Sequence, residues 1–250
     1  MLPADLQRAL TAAAATPRLL ITSDFDGTLA PIVSNPTDAR PLAEAADALA
    51  ALAELPETAS ALISGRALEV LRELSQLPVS VHLVGSHGAE FDSGFAHEID
   101  DALLQRITAA LNEIAADRPG VTVETKPASV ALHVRNASAD DGEAALTEAR
   151  EASTNWDAQL TEGKAVLEFA VIQTDKGEAI DILRSQENAT AVVFFGDDVT
   201  DEKAFRRLGG VDVGVKVGPG ETLATYRVDT PEDVATALKY LLDARRNRSA

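Results

Sequence analysis

The sequence contains no cysteine, which excludes disulfides, thiol nucleophiles and thiolate metal sites. Positive charge is scarce. Lys and Arg number 22 against 40 Asp and Glu, a formal net charge of −18. Nucleic acid and anionic membrane surfaces need a cationic footprint that such a chain lacks, so neither is expected as a partner. The same surplus gives no general attraction for an anionic substrate, which would need a local cation, and a metal ion is implied. Long apolar runs are missing too, so no membrane-spanning segment is expected. The Ala-rich start, 10–15, lacks the basic flank and long apolar region of a signal peptide, which predicts a cytoplasmic protein. At 250 residues and 46% hydrophobic content, the chain can bury one large core or two small ones.

The stretch around which the rest is organised is 19–29. The apolar run Leu19-Leu20-Ile21 ends in Asp24-Phe25-Asp26-Gly27-Thr28. Apolar on both faces, the run reads as a buried parallel strand. Its carboxyl end, where open α/β sheets bind ligands, carries the acids. Residues two apart on a strand point to one side, so Asp24 and Asp26 are expected together. Close carboxylates repel and are costly to desolvate, and they need protons, a metal or cationic partners. An Asp-rich turn with Gly27 at positive φ accounts equally well for this stretch taken alone.

Further along, a proline-bearing loop over 30–41 precedes a helix with the stripe Leu42, Ala45, Ala46, Leu49, Leu52 and Ala53, stopped by Pro56. A second strand, 59–63, leads into Ser64-Gly65-Arg66. A helix with Leu68, Leu71 and Leu74 follows, then a third strand, 79–84, ending in Gly85-Ser86-His87-Gly88. This β-α-β-α-β order predicts a doubly wound, Rossmann-like parallel sheet. From about Glu98 the pattern changes to amphipathic helices around 102–114 and 139–153. With them go alternating strands near 121–123, 130–134, 156–160 and 166–171. We read 99–172 as an inserted α+β module with one wet sheet face, within a core formed by 1–98 and 173–250. Asp175 then caps a helix containing Lys176, and the apolar strand 191–195 runs into Gly196-Asp197-Asp198-Val199-Thr200-Asp201-Glu202. A strand, a helix, a further strand and a C-terminal helix over 231–245 complete the core, with a frayed tail expected over 245–250.

Four polar sites thus fall on one edge of one parallel sheet: Asp24 with Asp26, Ser64, Lys176, and Asp197 with Asp198 and Asp201. The carboxylates suit a hard divalent ion, and Ser64 can donate to a phosphate oxygen. Lys176 starts a helix, where the macrodipole disfavours a cation unless an anion is held there as well. Taken singly, Lys176 reads as an ordinary exposed lysine. Taken together and in order, the set resembles the haloacid dehalogenase superfamily of phosphohydrolases, whose signature is Asp-x-Asp-x-Thr, a Ser/Thr, a Lys and a late Gly-Asp-x-x-x-Asp. Ile63-Ser64-Gly65-Arg66, Gly85-Ser86-His87-Gly88-Ala89-Glu90, Gly196 to Glu202 and the module after the third strand, placed as a type-2 cap, are similar to the trehalose-6-phosphate phosphatases.

That resemblance implies Mg²⁺-dependent hydrolysis of trehalose 6-phosphate, a small-molecule sugar phosphate; a monomer is expected. It implies Asp24 as nucleophile and Asp26 as general acid and base. Asp24, the main-chain carbonyl of Asp26 and Asp197 would hold Mg²⁺, Asp198 and Asp201 would hold metal waters or position Lys176, and Ser64 and Lys176 would hold phosphate oxygens. Within the cap, Glu124, Lys126 and Glu168 match positions that the family uses on the sugar. Arg66 reads equally as helix-start packing or as a substrate contact, Glu90 as a contact to substrate or to His87, and His87 is a further candidate for contact with the sugar. His87 and His133 read as structural rather than as metal ligands, and Trp156 as cap core. With 4% aromatic residues, sugar recognition would rest on hydrogen bonds from charged groups. The core motifs do not separate trehalose 6-phosphate from sucrose phosphate or mannosyl-phosphoglycerate. A phospho-accepting signalling domain shares the Asp cluster, Ser/Thr and Lys, but has no use for Asp26 or for a cap. A catalytically silent homologue would not need the intact set.

Overall fold

In the computed structural model, which describes residues 2–248, the chain divides into two compact units. One comprises Met1–Ala96 with Thr174–Ala250, the other His97–Gln173.

The larger unit is built on a sheet of order β12-β11-β10-β1-β2-β3-β4-β5. The chain starts in the middle with β1 (Leu19–Ser23) and steps outward through β2 (Thr58–Ile63) and β3 (Val81–Gly85). After the insertion it resumes on the other side of β1 with β10 (Ala191–Gly196), β11 (Val213–Val217) and β12 (Tyr226–Val228). These six strands are all parallel. The direction of winding reverses between β1 and β10, which are paired from Leu19↔Ala191 to Ser23↔Phe195. A crevice opens at such a switch point, at the carboxyl ends of the strands.

Both faces of β1 are covered, as its unbroken apolar run requires. Leu19 and Ile21 face α1 (Ala4–Ala14), α2 (Ala43–Ala53) and α8 (Pro231–Arg248) through Leu6, Leu10, Leu49, Leu238 and Leu241. Leu20 and its neighbours Val192 and Phe194 face α6 (Lys176–Gln186) and α7 (Glu202–Phe205) through Ile180, Leu183 and Phe205.

Several sequence expectations are corrected here. Val79 lies outside β3, fully exposed in the turn before it. The sheet gains two short antiparallel strands, β4 (Glu90–Phe91) and β5 (Gly94–Phe95), too brief to show a period. Helix α1 was not anticipated, although Leu6, Leu10 and Ala14 lie at helical spacing on its buried side. The expected frayed tail is a helix as far as Arg248; Ser249 and Ala250 lie outside the described residues. Arg245 is 1% exposed and donates to Thr58 Oγ1 and to the carbonyls of Ala14, Thr16, Pro17 and Glu57.

The smaller unit is an antiparallel sheet, β6-β7-β9-β8, formed by Thr122–Thr125, Ser129–His133, Val166–Ala170 and Gln159–Gly163 respectively. Helices α4 (Asp101–Ala115) and α5 (Ala139–Ser153) cover one face, where Leu103, Ile107, Ala145, Val130, Leu132, Leu167 and Phe169 form the core. Trp156 precedes β8 instead of opening it, and packs edge-on against Phe169 at 5.0 Å, as a core residue. The opposite face is polar. Directly opposed residues share a face, so Glu124↔Ala131↔Glu168↔Thr161 is one row of side chains across it.

Candidate active site

The switch point brings the sequence motifs together through the register of β1 and β10. Asp24, one residue past β1, extends the ladder by donating its N–H to the Phe195 carbonyl. Asp197, one residue past β10, is therefore its neighbour. Asp24, Asp197 and Asp201 each place a carboxylate oxygen within 4.8 Å of the others. Lys176, the first residue of α6, is 2% exposed and reaches into this group. Its Nζ lies 2.8 Å from Asp24 Oδ1 and 2.7 Å from Asp201 Oδ1. The cation at a helix start is thus matched by two carboxylates, which answers the macrodipole penalty.

Burial dominates the electrostatics. It pushes the Asp24 carboxyl well above the usual carboxylate range; Lys176 opposes this, while Asp201 and Asp197 add to it. Burial, then the charge of Asp201, raises Asp197 in the same direction. For Lys176 burial alone would lower the ammonium, but the charges of Asp24 and Asp201 outweigh it and hold the group above its ordinary value. Three carboxylates face one ammonium, which leaves two negative charges unbalanced. A divalent cation fits that deficit.

The local backbone makes room for the carboxylates. Gly27 has φ +79°, and a Cβ there would fall 2.1 Å from Asp197 Oδ2. Any side chain at this position would displace the Asp197 carboxylate from the group. Thr28 Oγ1 donates to Asp197 Oδ1 at 3.4 Å. Asp201 Oδ2 accepts the N–H groups of both Asp197 and Asp198 at 2.9 Å, so Asp201 holds the loop as well as Lys176. Asp198 is exposed and accepts the Val199 N–H at the start of a helical turn. The carboxylate group does not include it.

Asp26 pairs with Arg66, whose guanidinium is held above its ordinary value first by Asp26 and also by the charge of Asp24. The strand ends at Ser23 and the chain turns at Phe25. Arg66 donates to both oxygens of Asp26 at 2.7 Å and lies over the Phe25 ring at 5.6 Å. Ser64, 1% exposed at the end of β2, accepts the Arg66 N–H at 3.2 Å. His87 is exposed, and its ring packs so closely over Gly65 that a Cβ there would meet it at 2.4 Å. Glu90 is 6% exposed and occupied locally, accepting the Leu68 N–H at 2.9 Å and the Ser86 hydroxyl at 2.5 Å. Glu90 thus caps α3 (Leu68–Ser75).

The residues expected to contact a sugar fall on the polar face of the smaller unit. Lys126 Nζ lies 2.9 Å from Glu168 Oε1, which also accepts the Ser129 hydroxyl at 2.6 Å. Glu124 meets His133 Nε2 at 2.9 Å. Sequence reading missed Ser129 and this role for His133, though both lie on the same face by alternation. It also missed Lys216, a buried lysine in β11.

A doubly wound sheet with carboxylates, a lysine and a serine at its switch point is that of a haloacid dehalogenase-type α/β protein. The family model for trehalose-phosphatase matches residues 22–231, and the chain belongs to that family. The trehalose-6-phosphate phosphatase of Escherichia coli (strain K12) is 35% identical over 235 residues, spanning 90% of this chain and 87% of that protein. The trehalose-phosphate phosphatase of Mycobacterium avium (strain 104) is 34% identical over 241 residues, spanning 88% of this chain but 61% of the longer relative. Among solved structures, the C-terminal domain of C. albicans trehalose-6-phosphate phosphatase superposes with a TM-score of 0.74 at 23% identity. That likeness, over 96% of this chain and 97% of the other, is one of fold.

Proposed function

We propose that this protein hydrolyses trehalose 6-phosphate to trehalose and inorganic phosphate, with Mg²⁺ as cofactor, as a cytoplasmic monomer. The observation that carries this reading is the Asp24–Lys176–Asp201–Asp197 cluster at the switch point of a trehalose-phosphatase-family chain. Asp24 and Asp197 would hold the ion together with the main-chain carbonyl of Asp26. Asp201 is committed to Lys176 and to two N–H groups. When bound, the ion supplies the positive charge that lets a phosphate approach this acidic pocket.

The chain's own groups carry the chemistry. Asp24 Oδ1 accepts from Lys176 and, at 2.7 Å, from the Phe25 N–H, so Oδ2 is the attacking oxygen. Its bond to phosphorus forms as the bond to the sugar oxygen breaks, giving an aspartyl-phosphate. Asp26 gives the leaving oxygen a proton, then takes one from the water that attacks this phosphorus and frees Asp24. Ser64 and Lys176 donate to the equatorial oxygens as charge develops. In the smaller unit, Glu124, Lys126 and Glu168 offer acceptors and donors to the sugar hydroxyls, which makes this unit the specificity cap.

Phosphate release from trehalose 6-phosphate, sucrose 6-phosphate, glucose 6-phosphate and p-nitrophenyl phosphate, with and without chelator, tests the proposal. Preference for trehalose 6-phosphate and loss of turnover on chelation are expected. Full activity after exhaustive chelation, or a preference for another sugar phosphate, overturns the corresponding part.

A further inference from the structure

Strand β11 reads Val213-Gly214-Val215-Lys216-Val217, and its lysine is 4% exposed. An ammonium in such a place is costly unless satisfied. Here Nζ donates to two main-chain carbonyls, that of Asp197 and, at 2.7 Å, that of Val217. The first contact crosses from β11 to the loop that carries the acidic cluster. Asp197 is thereby held from both sides of its main chain, its N–H by Asp201 Oδ2 at 2.9 Å and its carbonyl by Lys216. The bond also fixes the direction in which its carboxylate leaves the backbone, toward the space that Gly27 leaves open.

We propose that Lys216 is a positioning residue for the metal site: by gripping the Asp197 carbonyl from the neighbouring strand, it sets the Asp197 carboxylate beside Asp24. The inference rests on the reading of Asp197 as a metal ligand. Groups that orient ligands without touching the ion typically change metal affinity by about 10–100-fold when removed.

The test is Mg²⁺ binding to the substrate-free protein, measured by calorimetry and by the Mg²⁺-induced rise in melting temperature, for wild type and K216M. Methionine keeps the length and apolar stem but donates nothing. The dissociation constant should rise at least tenfold and the thermal shift at fixed Mg²⁺ should shrink. In turnover assays the half-saturating Mg²⁺ concentration should rise more than kcat falls at saturating metal. A purely structural bolt would lower the melting temperature and leave Mg²⁺ affinity unchanged. Folded K216M with an affinity within twofold of wild type therefore overturns the inference alone. Wild type that binds no Mg²⁺ overturns the metal-site reading and this inference with it. Should K216M fail to fold, K216L, which also donates nothing and suits a buried strand position, carries the same comparison.

Discussion

Arg66 donates to both carboxylate oxygens of Asp26, Nε to Oδ2 and Nη2 to Oδ1, each at 2.7 Å. The arginine and aspartate come from the ends of β2 and β1, so the pair bridges two loops of one sheet edge. A bidentate clamp fixes the plane of a carboxylate more firmly than a single bond does. The proton that Asp26 handles must then be carried in competition with one of the Arg66 bonds.

This geometry predicts a dependence on the leaving group. Asp26→Asn should lower turnover of trehalose 6-phosphate by about 10²–10⁴-fold, the usual weight of general acid–base catalysis. It should cost p-nitrophenyl phosphate much less, because p-nitrophenolate departs without protonation. Arg66→Ala, which frees Asp26 from its clamp, should show the same selectivity at smaller amplitude. The comparison is of kcat/KM for both substrates in both variants. Equal losses on the two substrates would make Asp26 a structural group.

For the nucleophile, activity and stability should move in opposite directions. Asp24→Asn is nearly isosteric, keeps Lys176 paired with Asp201, and should abolish turnover. Burial raises the Asp24 pKa in the fold, so the folded state binds its proton more tightly than the unfolded chain. Stability from that proton is present at low pH and is lost as pH rises from the ordinary carboxylate value through the raised one. In chelated protein, Asp24→Asn should therefore melt above wild type at pH 7, and the gap should close toward pH 4. Adding Mg²⁺ should narrow or reverse the difference at pH 7, since the ion stabilises wild type more. Melting curves across this pH range, with and without Mg²⁺, decide it; a gap that widened on acidification would contradict the burial argument.

A third prediction concerns Arg245. Its guanidinium joins the C-terminal helix to the loop before β1 and to the start of β2, with donors to four main-chain carbonyls and a threonine hydroxyl. Arg245→Met removes the charge and strands carbonyls in a closed space. Since hydrogen bonds to charged groups are worth about 1.5–3 kcal/mol each, a loss of at least about 3 kcal/mol is expected in urea unfolding. Residual activity of the folded fraction should be unchanged, because these contacts lie at the amino ends of the strands, away from Asp24. A loss below about 1 kcal/mol would mean that water replaces the arginine.

The reach of the sequence follows from the kind of signal each residue emits. Asp24, Ser64 and Asp197 were legible because each ends an apolar run, and a parallel sheet gathers such ends at one edge. Lys176 was legible only as part of that set, since a helix-start lysine is commonplace. Lys216 and Arg245 emitted nothing usable. One sits in the alternation of a short strand, the other among the basic residues of a helix end, and in both cases the partners are carbonyls, which have no sequence signature. Asp26 was placed beside Asp24 by strand periodicity, although the strand itself ends at Ser23 and the chain turns at Phe25. Glu90 was read as a contact to substrate or to His87, and the backbone N–H and the hydroxyl that its oxygens accept from, those of Leu68 and Ser86, have no sequence signature.

The last prediction concerns the polar face of the smaller unit. Glu124 and Glu168 flank the small, buried Ala131 in one row, which sets the two carboxylates on either side of it. Lys126 and Ser129 both bind Glu168 Oε1, and His133 binds Glu124. Two readings compete. As a set of partly exposed ion pairs, the group contributes at most about 1 kcal/mol to stability and nothing to specificity. As a sugar site, it presents pre-oriented acceptors and a donor, and a wrong sugar leaves them unpaired at a cost in the transition state. The readings part on substrate. Under the second, Glu124→Ala, Lys126→Ala or Glu168→Ala should each lower kcat/KM for trehalose 6-phosphate at least tenfold, since a charged hydrogen bond is worth about 1.5–3 kcal/mol. Hydrolysis of p-nitrophenyl phosphate, which has no sugar hydroxyls, should barely change. Ser129→Ala, which removes one support of Glu168 and leaves Lys126 in place, should fall between wild type and Glu168→Ala on trehalose 6-phosphate alone. Uniform losses on both substrates, or none on either, would remove these residues from sugar recognition and leave the specificity of the enzyme to be sought elsewhere in the chain.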